Sequence, residues 1–156
     1  MKKEILTHEK LLTKIVFSEI GSRTNNIAML LIRVAFAIEL MLVHGLKKID
    51  VNGRAAEVIP NPLGFPDWFN QAFATAAMLV FPFFILIGLF IRLAALPALA
   101  VTLTGYFVVH SHDALAEKDG PFTYSIMLLL MVVLGAGKYS VDNYLTKQFR
   151  QIDLKK

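Results

Sequence analysis

The chain has 156 residues, room for one domain, and 56% of them are hydrophobic; its mean hydropathy of +0.57 lies above that of ordinary soluble domains, so a membrane protein is the first expectation. The formal net charge is +4, but no basic run tracks a phosphate backbone, which argues against a nucleic-acid partner. The absence of cysteine excludes disulfide exchange, thiolate nucleophiles and cysteine-ligated clusters.

Residues 1–24 read as an amphipathic cytoplasmic segment. Ile5, Leu12, Ile15, Val16 and Ile20 recur at helical spacing among charges, and no apolar stretch with a small-residue cleavage site marks a cleavable signal peptide. The first apolar run, Ile27–Val43, follows a polar Ser22–Asn26 stretch suited to capping. It is long enough for roughly 26 Å of helix, close to a hydrocarbon core of roughly 30 Å. The second runs from about Phe69 to Ile91 and the third from Leu93 to about Val109, with only Arg92 between them. One helix over both would be roughly 60 Å long, so a turn is predicted at Gly88–Arg92. The fourth runs from about Phe122 to Ala136, after the helix-start signal Asp119-Gly120-Pro121. The runs are too continuous for a β-barrel. Beyond them, Val141, Tyr144, Leu145, Phe149 and Ile152 predict an amphipathic helix on the inner membrane surface.

Lys2, Lys3, Lys10, Lys14, Arg23, Arg92 and the C-terminal Lys138, Lys147, Arg150, Lys155 and Lys156 fall on one side of such a topology; Lys47, Lys48, Arg54 and Lys118 fall on the other. The positive-inside rule then puts both termini in the cytoplasm. The expected fold class is therefore all-α: a multi-pass integral membrane four-helix bundle in the inner (plasma) membrane, with amphipathic terminal helices. Residues 1–24 form the N-terminal segment, 25–138 the transmembrane domain and 139–156 the C-terminal segment.

Two charges, Arg33 and Glu39, interrupt the first run, and His44 and Lys47 follow. A charge at the centre of a span costs about 2.5–3.5 kcal/mol on insertion scales, so such residues usually face the bundle interior and mark a pathway or site. On an ideal α-helix His44 lies about 20° from Arg33 around the axis, Lys47 about 40° the other way and Glu39 about 120° off. Arg33, His44 and Lys47 then form one stripe, and Glu39 needs a partner from elsewhere. The stripe reads as a polar cavity or as a structural charge network that fixes helix register; a third reading has Arg33 snorkelling to the inner surface. His110-Ser111-His112-Asp113, with His44, offers nitrogen and oxygen ligands on the outer side, but the spacing matches no metal motif and no metal is assigned. Candidate ligand-binding or buried polar residues are Arg33, Glu39, His44, Lys47 and His110; no catalytic role is assigned.

With these residues in view the chain resembles the DoxX family of small four-helix membrane proteins, over about Leu30 to Tyr144. Arg33 with His44-Gly45-Leu46-Lys47, then Gly88–Ala95, then Gly135–Asp142, look like three family signatures in order. Many members carry a Glu in the second span, roughly where Met78 stands here, which raises the idea that Glu39 replaces it as the partner of Arg33. The resemblance implies links to thiosulfate:quinone oxidoreduction in some relatives and to membrane complexes with redox enzymes in others. The expected function is a membrane subunit or scaffold associated with a redox complex and not catalytic on its own. Alternatives are a quinone-linked oxidoreductase subunit of the thiosulfate:quinone type, with quinone as cofactor, or a small transporter that forms a homo-oligomer. Expected partners are the lipid bilayer, a redox-complex protein and further copies of the chain.

Overall fold

The computed structural model describes residues 22–49 and 56–153, so nearly all of the N-terminal segment 1–24 lies outside the described residues. Among the described residues the chain is all-helical, without strands. Helix α1 (Ser22–Glu39) continues without a break through a π-turn, Leu40–Gly45, and a short 3-10 turn, Leu46–Lys48. Helix α2 (Asp67–Thr75), a π-turn over Ala76–Val80 and helix α3 (Phe81–Ile87) make a second rod. Helix α4 (Ile91–Thr104) runs into a third π-turn, Gly105–Val109; α5 (Leu115–Leu134) and α6 (Val141–Asp153) complete the described chain.

Three of these rods are long and apolar enough to cross a membrane: Arg23–Lys48, Asp67–Ile87 and Ile91–Val109. The first, at 26 residues, is about 39 Å long, so its ends outreach the hydrocarbon or the rod tilts. Helix α5 is apolar from Phe122 onward but starts earlier than Asp119-Gly120-Pro121 suggests. The carbonyl of Ala114 accepts the N–H groups of Glu117 and Lys118, so the helix begins at Leu115 and Pro121 lies inside it. The added turn carries Glu117, Lys118 and Asp119 into the helix.

The turn predicted between the second and third runs is at Gly88-Leu89-Phe90. Gly88 is left-handed (φ 71°), and the N–H of Leu89 bonds back to the carbonyl of Phe84 at 3.0 Å while that of Gly88 reaches Ile85 at 3.1 Å, a closure that needs a residue free of a Cβ penalty. Phe90, also left-handed at φ 48°, opens α4.

Small side chains fill the interior. Ala37, Ala77, Ala95 and Ala98 are fully buried beside Leu40, Ile85 and Leu128, and α4 packs most extensively on α5. Large apolar side chains point outward: Leu31, Leu93, Phe107 and Val133 are each more than 60% exposed. A soluble fold would bury these; small residues inside and large ones outside is how helices pack in lipid.

Candidate functional site

The predicted site residues fall at three levels along the helices, four of them on the first rod. At the end near the Gly88 turn, Arg33 is 3% exposed. Its Nη1 donates to the carbonyl of Ala136 at 2.5 Å and its Nη2 to that of Tyr139 at 2.7 Å. Both acceptors belong to the Gly135–Ser140 stretch that links α5 to α6. This stretch is held further by Asn26, whose Oδ1 accepts the N–H of Lys138 at 2.9 Å. Gly88 leans on the same guanidinium: a Cβ there would come within 2.8 Å of Arg33 Nη1 and 2.7 Å of the Ser140 Cβ. Asp142 completes the junction. Its carboxylate accepts the N–H groups of Phe90 (2.8 Å) and Ile91 (3.3 Å), capping α4, and its own N–H donates to the Gly88 carbonyl at 3.0 Å. The three signature stretches, distant in sequence, therefore bond to one another at one end of the helices.

Midway along the rod, Glu39 accepts a hydrogen bond from the hydroxyl of Tyr124 on α5. The ring of His44 sits edge-on to the same tyrosine, centroids 4.8 Å apart and planes at 80°. Its Nε2 is buried without a hydrogen-bond partner among the described residues. An α-helix would set residues five apart about 140° from each other. The π-turn starts directly after Glu39, and its i→i+5 bonding, seen from Leu46 N–H to Met41 O, carries His44 round to the side of Glu39. The stripe of Arg33 and His44 expected from ideal α geometry is thereby split: Arg33 serves the junction at Gly88 and Ser140, and His44 joins Glu39 and Tyr124. No Arg33–Glu39 contact occurs among the described residues. Met78 is buried on the second rod's π-turn, and its carbonyl faces Gly45, where a Cβ would come within 2.5 Å of it.

At the far end, Lys47 is exposed, while Lys48 approaches Glu57 at 3.9 Å. His110 Nδ1 meets Asp113 Oδ2 at 2.6 Å, three residues along its own chain. His44 does not reach His110, and no group of three or more metal-ligating side chains occurs among the described residues. Lys48 and His110 instead border a slot of about 420 Å³ between the second and third rods, roofed by residues 57–65.

The structure adds Tyr124 and Asp142 to the predicted site residues. The signal for Tyr124 was a lone acid in the first run that needs a polar partner from another helix, and Tyr124 is the tyrosine of the fourth apolar run. Asp142 was visible only as the last residue of the third signature.

A protein of Haemophilus influenzae, described as "Uncharacterized protein", is 26% identical to this chain over 133 residues, covering 80% of this chain and 87% of the relative. No solved structure matches the chain. The DoxX family model matches residues 28–111, which span the first two signatures and more than half of the sequence, and the chain belongs to the DoxX family.

Proposed function

We propose that this DoxX protein is a membrane subunit or scaffold that holds a partner protein of a redox complex in the inner membrane, with α5 as a fourth span and both termini in the cytoplasm. The observation that supports it is the use of the signature residues. Arg33 donates to two backbone carbonyls and Asp142 accepts two N–H groups. They brace the chain against itself, which suits a rigid carrier better than a catalyst. The test is gentle purification from native membranes with mass spectrometry for co-purifying subunits and lipid-soluble small molecules. A stoichiometric partner without quinone is expected; recovery at good yield with neither would overturn the scaffold and turn attention to transport. Reporter fusions at both termini check the topology, and an external terminus would refute it.

A second reading, a quinone-linked oxidoreductase subunit, draws on the middle cluster. Glu39, Tyr124 and His44 bring three acid–base side chains together across two helices, and quinone reduction needs proton donors as well as electrons. Bound quinone that is lost from Tyr124→Phe would favour this reading over the scaffold.

A further inference from the structure

We infer that the slot between the second and third rods binds one chain of a zwitterionic phospholipid, an amphiphile carrying a phosphate and an ammonium group, with its head at Lys48 and Glu57. The site is built rather than incidental. The N–H of Glu57 donates to the carbonyl of Lys47 at 2.8 Å, and Asn70 Nδ2 donates to that of Pro60 at 3.2 Å. Gln71 Nε2 also holds the carbonyl of Lys48 at 3.1 Å. These bonds fix the loop as a roof over the gap. One wall is aromatic, with Phe65, Phe69 and Phe73 in successive ring contact; the other is small, with Ala100, Thr104 and Gly105.

Size limits the occupant. At about 420 Å³ the slot has room for about 14 groups the size of a water at roughly 30 Å³ each. That is one acyl chain or a single ring, not a whole two-chain lipid. The two ends of the slot differ: the walls deeper along the rods are apolar, and the charged groups gather at its Lys48 end.

Charge selects the head. Lys48 Nζ and Glu57 stand 3.9 Å apart, at the limit of an ion pair and too far for a good hydrogen bond. Each therefore keeps bonding capacity toward a third party. The neighbouring His110 bonds to its own Asp113, so among the described lining residues Lys48 and Glu57 are the charged pair left at the mouth. An anionic head would gain Lys48 but meet Glu57 as a like charge. A zwitterionic head satisfies both, phosphate to Lys48 and ammonium to Glu57.

The experiment is native mass spectrometry of the delipidated full chain in detergent, offered equal amounts of phosphatidylethanolamine, phosphatidylglycerol and an uncharged diacylglycerol. Wild type should retain phosphatidylethanolamine about fivefold over phosphatidylglycerol, the ratio expected of roughly 1 kcal/mol of charge discrimination. Glu57→Lys, an exposed loop change, should reverse that order. Ala100→Phe, on an exposed wall position, should abolish retention of all three while the protein stays monodisperse. Equal retention of the charged lipids, preference for diacylglycerol, or retention unchanged by Ala100→Phe would each overturn the proposal. So would a native ring compound found in the slot that phosphatidylethanolamine does not displace, and that outcome would strengthen the quinone reading.

Discussion

Arg33 and Tyr139 are 106 positions apart in sequence, yet the guanidinium of the first donates to the backbone carbonyl of the second at 2.7 Å. The arginine thus closes the bundle: one charge on the first rod fixes where the chain leaves the last apolar helix. Carbonyls that follow a helix C-terminus carry partial negative charge and lack intrahelical partners, and a forked cation answers two of them together.

Substitution should show that this fork is structural. Arg33→Lys retains the charge but not the two-armed geometry and should destabilise the protein by about 1.5–3 kcal/mol, the range for a hydrogen bond to a charged group. Arg33→Ala should cost more, because it removes both hydrogen bonds and leaves a void where the buried side chain stood. Thermal unfolding in detergent, read by monodispersity on heating, checks the order. Equal stability of Arg33→Lys and wild type would contradict it.

Gly88 offers a sharper comparison with Gly64. Both are left-handed, at φ 71° and φ 67°, so an alanine at either carries a backbone cost of roughly 1–2 kcal/mol. Only at Gly88 does the new Cβ also strike Ser140 and Arg33; at Gly64 nothing lies within 4 Å. Gly88→Ala should therefore lower the unfolding temperature far more than Gly64→Ala, and matched losses would mean that Arg33 and Ser140 do not pack tightly on Gly88.

At Gly45 the sign of the effect is informative. Alanine normally stabilises a helix relative to glycine by about 1 kcal/mol. Here the methyl group would come within 2.5 Å of the Met78 carbonyl, a backbone atom that cannot swing aside. Gly45→Ala should destabilise by forcing the first and second rods apart. A stabilised variant, measured by the same heating assay, would show that the two rods do not approach so closely.

Glu39 and Tyr124 should behave as a pair, and Glu39 and Arg33 should not. Tyr124→Phe removes the hydroxyl that reaches Glu39 and should cost about 1–3 kcal/mol by leaving a carboxyl without its donor. Glu39→Gln keeps an acceptor oxygen and should cost less. In double-mutant cycles Glu39→Gln with Tyr124→Phe should be non-additive, whereas Glu39→Gln with Arg33→Ala should add within about 0.5 kcal/mol. Strong coupling of the second pair would restore the idea that Glu39 is the partner of Arg33.

Much of this protein is legible in its residues taken singly. The apolar runs determine helices of membrane length, because backbone polar groups in hydrocarbon must be satisfied within the segment. Gly88 with Arg92 marks the turn, because one continuous helix would be about twice the bilayer thickness. The order of Arg33, Gly88–Ala95 and Gly135–Asp142 pointed to the family that the matched region then showed. What only the tertiary structure decided is which polar groups meet. That depends on helix register, and three π-turns, at Leu40–Gly45, Ala76–Val80 and Gly105–Val109, shift the register where a 3.6-residue period was assumed. The first of them sets Gly45 against the Met78 carbonyl of the second rod, a contact between rods of which a one-dimensional period carries no record. The same holds for Arg33: its charge is plain in the sequence, but its acceptors are backbone carbonyls, which every residue has and which only the fold can choose among.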